Sequence, residues 1–327
     1  MPYGTMVALY FMGYLGTMKA RVITSCTSQC EYSPPSMLAA TVLGVEDVPT
    51  LLRGGARHLR HMRWAEPGRL LEMVGPDSEI AVTVYNLTSL AEHAAKADCR
   101  EAVIHEERSE GKIARFREFL DHLATEAQQT TRRAYLEDTY LYSADGEYAN
   151  LAKHRGSAAL HRLEGDLPDD AAVPAFEGFE HLVGVPYSAV ALFVGNGSES
   201  SMHQDKGEQN FITQVHGCKH VVTAPPEAAS VLGTHFARDN DAALDTSTLS
   251  EWGGLPGDGD CAAMDGLTLC GGGVLVPGAR LHRLCAGDAL YLPNSTWHAL
   301  YGDAVEAGGP PSITVTFFLP AQPGSPA

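Results

Sequence analysis

From residue 187 to 226, and again from 274 to 320, the chain reads as short strands, some apolar and β-branched throughout. One, QNFITQV, alternates with the period of two of a strand that buries one face. YSAVALFVG (187–195), QNFITQV (209–215), KHVVTA (219–224), ALYL (289–292) and SITVTFFLP (312–320) each read as a strand. His216-Gly217 predicts a two-residue hairpin turn, and Pro225-Pro226 ends the strand that follows. Upstream, TLLRG (50–54) and EIAVTVY (79–85) have β texture, while EPGRLLEMVG (66–75) reads as a helical turn stopped by Gly75. KIARFREFLDHLATEA (112–127) predicts the strongest helix. Ile113, Phe116, Phe119, Leu120 and Leu123 fall on one of its faces, a stripe for packing rather than for a cofactor.

Many short strands with turn signals between them predict a mainly β chain, an antiparallel barrel or jelly roll. Its core spans about 185–320, preceded by N-terminal α/β accessory elements. Residues 233–275 are rich in Asp and Gly with little periodicity, which predicts an insertion or lid. Residues 1–35 are set apart as an extension by Pro34-Pro35, leaving 36–327 as one domain. The apolar run Met6–Met18 is shorter than the ~20 residues of a spanning helix. No Lys or Arg precedes it, so no membrane anchor is expected, and an organelle-targeting role is left open.

Composition narrows the function classes. A net charge of -17 argues against a surface that grips nucleic-acid phosphates, and leaves a basic protein substrate compatible. The seven Cys include no CxxC pair; Cys26 and Cys30 lack a matching second pair. All seven are therefore expected as reduced thiols in a cytoplasmic or nuclear protein.

The chemistry gathers in SMHQDKGEQNFITQVHGCKH (201–220). In a strand, His203 and Asp205 point to one face and Gln204 to the other, which sets a nitrogen and an oxygen donor side by side. His298, delivered by the turn after Pro293 in GDALYLPNSTWHAL, is the best third ligand. His216, His220, His235 and His282 compete for that place. Two imidazoles and one carboxylate on one face of an octahedral ion leave the other face open, the arrangement of non-haem Fe(II) oxygenases. Lys219 follows in the next strand, and a buried ammonium there asks for an anionic partner.

Together, HQDKGEQNFITQVHGCK, the PP that follows and GDALYLPNSTWH resemble the JmjC and cupin-8 group of Fe(II)- and 2-oxoglutarate-dependent oxygenases. The nearest pattern is the branch that includes the asparaginyl hydroxylase of hypoxia-inducible factor. The resemblance runs loosely over 45–320 and densely over 187–226 and 287–318. It implies a cupin-like double-stranded β-helix with Fe(II) held by His203, Asp205 and His298, and with 2-oxoglutarate and O2 as co-substrates. Lys219, Ser200 and Tyr135 would take the distal carboxylate of 2-oxoglutarate, and Asn210 would sit near its metal-bound end. Thr316 stands where that branch has an asparagine near the co-substrate. No residue beyond the metal centre is implied as catalytic.

The expected reaction is hydroxylation of a C–H bond, first on a protein or peptide side chain. A small metabolite or natural product is the second choice; lysine demethylation or a non-catalytic metal-binding cupin comes after. HQDKGEQN is one residue longer between Asp205 and Asn210 than the pattern, which leaves the place of Asn210 open. The branch's C-terminal dimerisation helices have no counterpart after the last strand, so a monomer or weak dimer is expected.

Overall fold

The computed structural model describes residues 48–86, 109–126, 132–144, 159–168, 172–197, 199–205, 208–228, 261–263, 276, 278–303 and 309–320. The N-terminal extension, Cys26, Cys30, His235 and most of the 233–275 insertion lie outside them. Among the described residues the strands are β1 (Thr50–Leu52), β2 (Glu79–Asn86), β3 (Ser109–Arg115), β4 (Arg132–Ser143), β5 (Ala189–Gly195), β6 (Glu199–His203) and β7 (Glu208–His216). They continue with β8 (Cys218–Ala224), β9 (Cys261–Ala263), β10 (Arg280–Cys285), β11 (Ala289–Leu292), β12 (Trp297–Gly302) and β13 (Ser312–Pro320). Two α-helices, α1 (Arg69–Val74) and α2 (Phe116–Glu126), and short 3-10 segments join them.

The strands form two antiparallel sheets. The major one runs β1-β11-β7-β13-β5-β4-β2-β3 and the minor one β6-β12-β8-β10-β9. Their facing sides share an apolar cluster: Ile212, Leu290 and Leu292 from the major sheet meet Val221 and Leu284 from the minor. The chain is thus mainly β, a cupin-type jelly roll with its interior between the sheets.

The outer face of the major sheet is covered by the N-terminal elements and carries the larger core. Phe211 on β7 stacks on Phe176 at 4.2 Å between ring centroids, and Phe179 lies 4.6 Å from Tyr291 on β11. Trp64, Phe116, Phe119, Leu123, Leu160 and Leu163 extend this layer. Trp64 satisfies its indole N–H on Asp166 Oδ2 at 2.9 Å, which lets so large a ring be buried without an orphaned donor.

Two local expectations are corrected. His216-Gly217 does not close a hairpin, because β7 belongs to the major sheet and β8 to the minor. Gly217, at φ +75°, bends the chain across the barrel wall. The predicted helix starts at Phe116, and Ile113 lies in β3 opposite Ala81, where strand pairing overrides helical spacing. Within the insertion, Cys261–Ala263 adds an edge strand to β10.

The Gly-Asp pair at 287–288 proves to be a brace at a barrel corner. Asp288 accepts from the backbone N–H of Gly54 at 2.9 Å and of Cys285 at 3.0 Å, and its carboxylate pairs with the Arg53 guanidinium. Gly287 has φ +91°, and a Cβ there would stand 2.9 Å from Arg57 Cγ, so no other residue fits without displacing that side chain.

Cys218 and Cys285, opposite each other on β8 and β10, form a disulfide. This overturns the reading of every cysteine as a reduced thiol. No helix among the described residues is long and apolar enough to cross a membrane.

Candidate metal centre

His203 ends β6 directly opposite His298 on β12, so both rings leave the same side of the minor sheet, 4.2 Å apart between centroids. Asp205 follows two residues on. Its Oδ2 is 3.4 Å from His298 Nε2, and its Oδ1 is 3.9 Å from His203 Nε2. The ligand atoms of all three lie within 4.8 Å of one another, a spread that one ion can bridge. They form the only such group of three among the described residues.

The histidine on β12 is held with one ring nitrogen free. His298 Nδ1–H donates to the Thr296 carbonyl at 3.0 Å, which fixes the tautomer and leaves the Nε2 lone pair facing Asp205. Burial, and then the neighbouring His203, lower its pKa to about 4, so the ring is neutral near pH 7 despite Asp205. The turn before it is tied to β6. Gln204 Nε2 donates to the Ser295 carbonyl at 2.7 Å, and Ser295 holds φ +59°. Gln204, between two of the candidate ligands, thereby anchors the loop that precedes the third.

The rival histidines are engaged elsewhere. His216 Nδ1 bonds the Pro311 carbonyl at 3.0 Å, His220 pairs with Asp303 at 3.0 Å, and His282 Nε2 meets Thr223 Oγ1 at 3.0 Å.

Asn210 lies against the centre despite the extra residue before it: its amide donates to Asp205 Oδ2 and orients that carboxylate. Its Oδ1 is buried with no hydrogen-bond partner among the described residues, an acceptor left for whatever occupies the centre. Two imidazole nitrogens, a carboxylate oxygen and no thiolate suit Fe(II). The orphaned acceptor beside them fits a ligand-bearing ion rather than a closed structural site.

Further along β8, Lys219 is 2 % exposed and opposes Leu284, on the side of the interior cluster. Its Cα stands four residues from Thr223, the partner of His298, or about 13 Å along the strand. Its Nζ lies 5.7 Å from the Tyr135 ring centroid and 5.9 Å from that of Phe193. Burial lowers the lysine pKa to about 8, while Glu137 acts to raise it.

Ser200 stands opposite Leu300. Strict alternation would send it to the face opposite His203, but an irregularity between the His298 and Leu300 pairings restores it to the His203 side. Thr316 is buried and pairs with Ile212 and Ala191 on the inner face of the major sheet. Sequence reasoning missed Gln204 and Glu137. The signals were present: a polar residue locked between two ligands, and an acid two positions after Tyr135.

A family model described as a cupin-like domain matches residues 41–268, more than two thirds of the 327-residue chain. The match takes in His203, Asp205, Lys219 and Tyr135 and ends before His298, which the structure brings to the others. No curated protein matches the chain. The likeness to the asparaginyl hydroxylase branch therefore rests on the motif residues alone.

Proposed function

The chain belongs to the cupin-like domain family, and from that premise we propose that it is an Fe(II)- and 2-oxoglutarate-dependent oxygenase that hydroxylates a C–H bond of a protein or peptide side chain. The observation that carries this reading is a His-Asp-His cluster sharing one barrel interior with a buried lysine. A metal-storage or purely structural cupin has use for the first and none for the second.

His203, Asp205 and His298 would hold Fe(II). When bound, the iron with 2-oxoglutarate and O2 supplies the oxidising power that puts one oxygen atom into a C–H bond. The chain's own residues do the rest. Lys219 neutralises the distal carboxylate of 2-oxoglutarate, with Tyr135 and Ser200 as polar company. Asn210 fixes the Asp205 carboxylate and offers Oδ1 to the metal-bound end. Thr316, buried on the facing wall, would sit near the co-substrate. Leu284, Leu290, Leu292 and Val221 exclude water, which strengthens every charge interaction inside. The acidic surface is compatible with a basic peptide substrate.

The test is anaerobic loading with Fe(II), then incubation with 2-oxoglutarate, O2 and either a peptide pool or a metabolite pool. Succinate should form slowly without substrate and faster with peptides, and mass spectrometry should find peptides heavier by one oxygen atom. Faster turnover with metabolites alone would move the substrate to the small-molecule class. No succinate under any condition would reject the enzyme reading.

A further inference from the structure

Strand β4 carries an extra residue where it faces Lys219. Leu136 pairs with Val194 and Thr139 with Leu192, so Glu137 and Asp138 together oppose the single residue Phe193 of β5. Such a bulge re-aims a side chain. Phe193 turns its ring towards Lys219, as does Tyr135, two residues before Glu137. Glu137 is only 9 % exposed, and its charge acts on the lysine. Among the described residues Lys219 is the only buried Lys or Arg.

The barrel therefore sets the Lys219 ammonium on β8 of the minor sheet and, on β4 of the major sheet, the Glu137 carboxylate. A single ammonium neutralises a single carboxylate. A dicarboxylate placing its distal end at Lys219 meets Glu137 as a second anion in a place cleared of water, where like charges repel strongly. We propose that Glu137 is a specificity-determining residue, an internal anion that competes with the ligand's distal carboxylate for Lys219 and so narrows the preference for dicarboxylates over 2-oxo acids that lack that group.

This rests on the co-substrate reading above, and the experiment separates the two. Manganese-loaded protein at pH 7 is titrated calorimetrically with 2-oxoglutarate and with 2-oxopentanoate, its five-carbon counterpart without the distal carboxylate. Glu137→Gln should tighten 2-oxoglutarate by about tenfold or more and leave 2-oxopentanoate unchanged. Glu137→Met should do the same, should the glutamine variant fail to fold, and Glu137→Asp should stay near the parent. If the parent binds 2-oxoglutarate as tightly as the charge-free variants do, the competition is refuted while the co-substrate reading survives. If neither parent nor variants bind 2-oxoglutarate, both readings fall together.

Discussion

Strand β7 shows the same nine residues doing two jobs. Phe211, Thr213 and Val215 face the N-terminal layer, where Phe176, Phe179 and Tyr291 close over Phe211 and the packing is dry. Asn210, Ile212 and Gln214 face the interior. There Asn210 holds a metal-ligand candidate, and Gln214 is fixed by Ser312 and Thr314 at 2.9 and 2.8 Å. The outer face is thus a stability face and the inner face a chemistry face, separated by one backbone. Alternation lets each be tuned without rewriting the other.

The widest separation should come from one substitution on each side. His203→Ala should leave no measurable Fe(II) binding by anaerobic titration, while the urea midpoint of the metal-free protein stays close to the parent's. Phe211→Ala should cost about 3–5 kcal/mol in the same urea experiment. Its folded fraction should still bind Fe(II) as the parent does. Should His203→Ala unfold the protein, or Phe211→Ala abolish iron binding in folded molecules, the division of labour would be lost.

A smaller effect comes from the histidine that each face hides. His61, on the outer side, lies between the rings of Trp64 and Phe317 and bonds Thr213 Oγ1 at 3.1 Å. Burial, with a contribution from His58, lowers its pKa to about 3. Inside, burial and the charges of Arg280 and Arg53 lower His282 to about 3 as well. Both are neutral in the fold and take a proton on unfolding below about 6.5, so the unfolded state binds more protons and stability falls as the pH is lowered. The loss begins near pH 6.5, runs at about 1.4 kcal/mol per pH unit for each histidine, and levels off near pH 3. His61→Gln should flatten the urea-derived slope between pH 6 and 4 by one proton. An unchanged slope would mean that water reaches this ring.

How much of this could be read in the chain follows from the same alternation. Apolar β-branched and alternating runs identify β5, β7, β8 and β13, and alternation sets His203 beside Asp205, because one residue's face determines the next within a strand. Bulges defeat it. Ser200 and Glu137 sit beside irregular pairings, where parity changes without any mark in the local sequence. The crossover at Gly217 is hidden for a related reason. A His-Gly pair serves a hairpin or a sheet change equally, and the partners of β8 are β10 and β12, far along the chain. Cys218 and Cys285, 67 residues apart, meet only once that pairing is made. His298 was identifiable as a candidate, but what singles it out is the Thr296 carbonyl on Nδ1, a contact set by a turn.

That turn allows the finest test, because Gln204 follows directly on β6 between two candidate ligands and bonds the turn that precedes the third. Its amide holds the Ser295 carbonyl, Ser295 takes the left-handed φ, Thr296 N–H returns to Pro293 O at 3.2 Å, and Thr296 O orients His298. Gln204→Ala removes one hydrogen bond, worth about 1 kcal/mol of stability, and frees the loop at its most strained residue. Iron affinity should fall by about tenfold, through a ring that no longer meets the ion at a fixed angle. The absorption of a Co(II)-substituted centre should broaden in parallel. An unaltered affinity and spectrum would mean that the β12–β8 pairing alone positions His298, leaving the residue between the two ligands a bystander.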